Sequence, residues 1–184
     1  MAVHEAGHFC TWYFLGGKGC ALSILNKPRF DIDPARNILM IPLGRILGST
    51  ILKVKSGEIP PAVEKAFAAH GEKFARSLLV CTVAGVVSTG IIFGTDSSLK
   101  PTDKDLGQAQ ALAKYLNPTS PETELESAHS LAAGMLDAGL LYSVRLVADE
   151  LLARGEIIGA DNMDALWDKF RPRMDKINFP QSVG

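Results

Sequence analysis

Three titratable residues near the start of the chain, His4, Glu5 and His8, have the types and the spacing for metal-assisted hydrolysis. They form an H-E-x-x-H pentapeptide, His4-Glu5-Ala6-Gly7-His8. Residues four apart share one face of an α-helix, so both imidazoles can reach a single ion while Glu5 projects beside it. Zinc held in this way lowers the pKa of water toward ~7, and a neighbouring carboxylate can take the proton as a polarised carbonyl is attacked. The expected chemistry is peptide-bond hydrolysis, with zinc as cofactor and Glu5 as general base. The plain alternative makes His4 and His8 ordinary helix residues and Glu5 a first-turn carboxylate favoured by the helix dipole. Gly7 bears on the choice. Inside a helix it costs about 1 kcal/mol relative to alanine, which implies that a second element packs closely against the backbone there.

A catalytic zinc takes three protein ligands and leaves a fourth position open. The remaining histidines are His70, in Ala-Ala-His-Gly-Glu, and His129; neither has a partner motif, and both read as surface or helix-end residues. The extended pattern H-E-x-x-H-x-x-G-x-x-H fails, because residue 11 is Thr and residue 14 is Phe. Among the carboxylates Asp105 stands out. Lys100 to Leu106 reads as a loop leading into a helix, with Asp105 on the first turn and Leu106, Ala109, Leu112 and Ala113 as its apolar stripe. A first-turn Asp also complements the helix dipole without binding anything, and Asp31, Asp33 and Glu72 remain competitors on the residues alone.

The run Ala2-Val3-His4-Glu5-Ala6-Gly7-His8-Phe9 resembles the peptidase signature of the FtsH family, membrane-anchored ATP-dependent zinc metalloproteases. Later segments agree in the same order. Leu15-Gly16-Gly17 followed by Ala21 to Ile24 is similar to the family's first helix end and strand. Val83-Ala84-Gly85 through Ile91-Ile92-Phe93-Gly94 is similar to its second core helix, Thr102 to Ala113 to the helix bearing its third zinc ligand, and Val147 to Leu166 to its C-terminal helix pair. The resemblance implies His4, His8 and Asp105 as zinc ligands and Glu5 as catalytic base. It also implies a mainly α domain with a small β-hairpin or sheet near the cleft. Its substrates would be unfolded or damaged proteins or peptides, delivered by an AAA ATPase module in cis or in trans, with a hexamer as the family's homo-oligomer. The place of work would be a cytoplasmic or organelle-stromal face, any membrane association coming from a part outside this chain. Two departures stand out: the family's Gly-Arg-Ala-Ala-Glu-Glu run is matched here by Gly85-Val86-Val87-Ser88-Thr89-Gly90, and no P-loop pattern occurs. They carry a second reading, a non-catalytic or regulatory interaction module, against which the intact H-E-A-G-H speaks.

The elements that must position these residues belong to one domain of ordinary size, expected over 1–177 with a tail at 178–184. Of the 184 residues 47% are hydrophobic and 21% charged, a globular balance, and the net charge of −1 without a Lys/Arg run argues against nucleic-acid binding. Cys10, Cys20 and Cys81 are odd in number and lack C-x-x-C spacing, so neither a disulfide framework nor a cysteine zinc site is expected, and Cys10 reads as packing. No apolar signal segment precedes His4. A helix carrying His4 and His8 would ordinarily start earlier, so the chain reads as a piece of a longer protein with any motor upstream.

The periodicity predicts a zinc helix over about 2–15, stopped by Gly16, Gly17 and Gly19. Strands are expected at Ala21 to Leu25 and Ile38 to Leu43, with Lys27 to Pro34 between them as loop and edge. Helices are expected at about 61–76, 77–93, 103–116, 121–138, 140–155 and 160–170. An edge strand beside the cleft could bind an extended substrate backbone. The uncharged run 78–94 is at the short edge of a membrane span, but its Thr, Ser and Gly content favours a buried core helix. Asp149, Glu150, Glu122, Glu124 and Glu126 are expected to be solvated charges.

Overall fold

The computed structural model describes residues 1–25, 29–32, 61–96 and 104–172. The chain runs α1 (Ala2–Phe14), β1 (Gly19–Ser23), β2 (Arg29–Ile32), α2 (Pro61–Phe93), α3 (Lys104–Leu116) and α4 (Pro121–Met135), then a π-helical turn (Leu136–Leu140), α5 (Leu141–Arg154), β3 (Glu156–Ile158) and α6 (Ala160–Phe170). It is mainly helical with a small antiparallel sheet, as expected. Helix α1 is central: it packs on α2 and α5 and touches β1 and β2, while α3 and α4 pack on α2 and on each other.

The crossing of α1 and α2 explains Gly7. A Cβ at that position would lie 2.5 Å from the Ser88 hydroxyl and 2.8 Å from the Ala84 carbonyl oxygen, so the two backbones meet where no side chain fits. The opposite side of α1 is aromatic. Phe9 and Trp12 are fully buried, Phe9 making edge contacts with Phe30 of β2 and Trp167 of α6, and Trp12 with Phe74 of α2. Such rings contribute through buried area and through edge-to-face geometry.

The sheet has the order β2-β1-β3, both pairs antiparallel, with Leu22 opposite Phe30 on one side and Ile157 on the other. These three apolar side chains form one row that packs into the core. Two strand expectations need correction. Arg29–Ile32 is a strand rather than part of the loop assigned to Lys27 to Pro34: Arg-Phe-Asp-Ile alternates with period two, and pairing with β1 outweighs the flanking prolines. Glu156–Ile158 had no strand signal, because three residues are too few to show periodicity; its place is fixed by pairing with β1. The expected strand at Ile38 to Leu43, and the tail at 178–184, lie outside the described residues.

Helix α2 breaks at Gly71, with φ of +79°, rather than between 76 and 77, since glycine tolerates the left-handed backbone that the bend requires. Gly139, with φ of +126°, likewise marks the passage from α4 to α5. The uncharged run is mostly core: Leu78 through Ala84 and Val87 and Ser88 are buried. By length and composition alone, Gly71–Phe93 and Pro121–Arg154 would both suffice to cross a membrane, and 61% of the more apolar window of Gly71–Phe93 is buried inside the domain. Two glutamates are not simply solvated. Glu124 pairs with Arg76 across α4 and α2, and Glu150 pairs with Arg154 and, at 3.2 Å, with Lys169 of α6.

Candidate metal centre

Helix α1 presents His4 and His8 one turn apart, and α3 delivers Asp105 from its first turn. The His4 and His8 Nε2 atoms are 3.1 Å apart, with the rings nearly perpendicular at 88°. Asp105 Oδ2 lies 2.9 Å from His4 Nε2 and 3.4 Å from His8 Nε2. The side chains are 28%, 11% and 23% exposed in the order His4, His8, Asp105, so the group lies partly open to solvent.

The second ring nitrogen of His8 settles part of the proton inventory. Nδ1 lies 2.7 Å from the Cys81 carbonyl oxygen, which can only accept, so Nδ1 carries the proton and Nε2 of the neutral ring offers a lone pair toward His4 and Asp105. The Cys81 thiol donates in return to the His8 carbonyl oxygen at 3.4 Å, which ties the two helices together at this level. Two imidazole nitrogens and a carboxylate oxygen thus face one point, where a proton or a metal ion can lie between them.

The dimensions suit a metal. Tetrahedral zinc with ligand bonds of about 2.0–2.1 Å has ligand–ligand edges of about 3.3–3.4 Å, against 2.9, 3.1 and 3.4 Å here. The three potential ligand atoms form a group able to hold an ion. The electrostatics agree with a site poised for positive charge. Burial disfavours the Asp105 anion, but hydrogen bonds to His4 and His8 outweigh it and hold the carboxyl well below the usual aspartate range. Burial likewise opposes the His8 cation, yet the Asp105 carboxylate and the Cys81 side chain raise its pKa well above that of a free imidazole.

Glu5 is 6% exposed, next to His4 on the buried side of α1. Burial raises its pKa, and the nearby His8 and His4 only partly offset this. No hydrogen bond holds its carboxylate among the described residues.

Of the other carboxylates weighed from the sequence, Glu72 is exposed and pairs with Arg76 at 3.7 Å, away from the histidines; Asp33 and the side chain of Asp31 lie outside the described residues, as does that of His70. His129 is half-buried on α4. The sequence reading missed the Cys81 carbonyl, because backbone acceptors carry no residue signature. A signal was present nonetheless: Cys81, Ala84, Gly85 and Ser88 place small residues along one face of α2 at helical spacing. Burial pushes up the thiols of Cys10 and Cys81, consistent with packing roles. Comparison of the chain with models of known families, with curated proteins and with solved structures finds no match.

Proposed function

We propose that the chain is a zinc-dependent endopeptidase domain of the FtsH type, in which His4, His8 and Asp105 hold the metal and Glu5 is the general base. The observation that carries this reading is the convergence of two imidazole nitrogens and a carboxylate oxygen within hydrogen-bonding distance of one another, with a buried carboxylate on the adjoining helical position that has no hydrogen-bond partner among the described residues. When bound, zinc supplies Lewis acidity toward a carbonyl oxygen and toward water. Two imidazoles and a carboxylate also suit other first-row metals; Glu5 is what favours hydrolysis, because a raised carboxyl pKa brings the base nearer the working pH. Glu5 takes a proton from the attacking water at its carboxylate and returns it to the departing amine. His8 keeps its Nε2 directed at the centre through the bond from Nδ1 to the Cys81 carbonyl. The resemblance extends the reading to unfolded protein or peptide substrates, an ATPase module in cis or in trans, a hexameric assembly and a cytoplasmic or stromal location.

The test is a pair of variants. Glu5→Gln should abolish hydrolysis of an unstructured polypeptide such as casein while metal content, read by elemental analysis, stays at the wild-type value. Asp105→Ala should lose most of both. Hydrolysis that survives in Glu5→Gln would overturn the assignment of the base, and wild-type protein that takes up no zinc on reconstitution would overturn the metal site.

A further inference from the structure

Helix α2 meets the imidazole pair at Gly85. A Cβ there would lie 2.6 Å from His8 Nε2, 2.7 Å from His8 Cε1 and 2.9 Å from His4 Cε1, distances that real Cβ atoms essentially never show. Both rings therefore rest against a bare Cα. The backbone at Gly85 does not adopt a positive φ, so conformational freedom does not explain the glycine. Helix propensity would prefer alanine there. What remains is space, and it is needed by two side chains whose nitrogens are 3.1 Å apart.

We infer that Gly85 is a positioning residue for the imidazole pair: its missing side chain sets how closely His4 and His8 converge and keeps His8 Nε2 open on the side facing the centre. In so far as the pair holds a metal, this rests on the function proposed above. Three levels of α2 divide the task. Cys81 fixes the rotation of the His8 ring through its carbonyl, Gly85 fixes the depth of both rings, and Ala84 with Ser88 fixes the helix crossing at Gly7. The Ser88 hydroxyl donates to the Ala84 carbonyl oxygen at 2.6 Å and so turns back onto its own helix, leaving the crossing tight. A methyl group at residue 85 would push His8 Nε2 first and His4 next, opening the ligand set without removing a ligand.

The experiment uses the full chain and has a readout independent of metal. Gly85→Ala is made in the wild-type background and in a His4→Ala/His8→Ala background, and melting temperatures of the metal-free proteins are compared. The control is Gly134→Ala, a helical glycine with nothing within 4 Å of an added Cβ. Gly134→Ala should raise the melting temperature in both backgrounds. Gly85→Ala should lower it with the histidines present and raise it without them, a reversal of sign that general disruption of α2 would not produce. In chelator-competition titrations with zinc alone, Gly85→Ala should weaken affinity at least about tenfold, as changes that misorient ligands do. A change of the same sign in both backgrounds, or zinc affinity equal to wild type, would overturn the inference. If wild-type protein binds no zinc but the sign reverses, the proposed function fails while Gly85 keeps its role in placing the rings.

Discussion

The α1–α2 crossing and the α5–β3–α6 segment are built by different means, although both pack on the same helix. At the crossing, contact is made by small residues and by polar groups taken out of water: Gly7, Ala84, Gly85 and Ser88 bring backbones together, and His8, Cys81 and Glu5 are buried there. The C-terminal segment reaches α1 with large rings and holds itself with charges at its rim. Trp167 packs on Phe9 and Tyr13, the Ser143 hydroxyl donates to the Phe170 carbonyl oxygen at 2.6 Å, and Glu150 joins Arg154 to Lys169. A close-packed crossing has no slack, so small changes in volume there are felt as displacement of the site. An aromatic and ionic seam yields by degrees. Function should therefore be most sensitive where the residues are smallest.

Substitutions break this comparison at graded levels. Phe9→Ala removes the buried ring through which α1 meets Trp167 of α6 and should cost about 3–5 kcal/mol, lowering the melting temperature on the order of 10 °C or more; a calorimetric shift of only a degree or two would mean that the aromatic seam does not hold the C-terminal segment on α1. Next in size is Gly7→Val, which forces the helices apart at Ala84 and Ser88 and should cost about 1–3 kcal/mol. Its zinc affinity should fall together with stability, measured by denaturant titration and metal competition on the same sample. If stability falls alone, the crossing does not set the site.

Tyr13→Phe sharpens the comparison from the other side. The Tyr13 hydroxyl donates to Asp164 of α6 at 3.0 Å and accepts from the Gly19 amide at 3.2 Å. Losing it should cost about 1 kcal/mol and leave zinc affinity within twofold, because the hydroxyl lies at the far end of α1 from His4. The smallest effect belongs to Glu150→Gln, about 1 kcal/mol or less and reduced further by added salt. Hydrogen bonding to Lys169, assisted by Arg154, holds the Glu150 carboxyl below the usual glutamate range. Its contribution is therefore fully present above the unfolded-state pKa and is lost as pH falls through the lowered folded value, so the gap between variant and wild type should close in acid. A gap that widens in acid would assign Glu150 a different role.

The sequence was most legible where one residue's type implied a neighbour. His4, Glu5 and His8 needed only helical periodicity to share a face, and α1 ends at Phe14 just before the glycines expected to stop it. Gly7 announced a close crossing because its cost in a helix demands a compensation. On its own residues Asp105 was legible only as a first-turn aspartate, since 101 residues separate it from His4 and no periodicity spans that interval; the family resemblance was what set it beside the histidines. Short strands were least legible. β2 hid behind prolines and aspartates, and β3 is held by a partner more than 130 residues earlier. Glu124 and Glu150 were read as solvated because an ion pair between distant helices leaves no trace in either helix's own pattern.

By itself the sequence determined the helical class and the placing of His4 and His8 one turn apart on α1, because each depends on contacts within a few residues. Tertiary structure decided how closely Asp105 approaches the two histidines, that the Cys81 carbonyl accepts from His8 Nδ1, and that Gly85 gives both rings their room. Those are distances between elements far apart in the chain. They are set by how closely helices pack, which depends on side-chain volume on both sides of a crossing and cannot be read from either side alone.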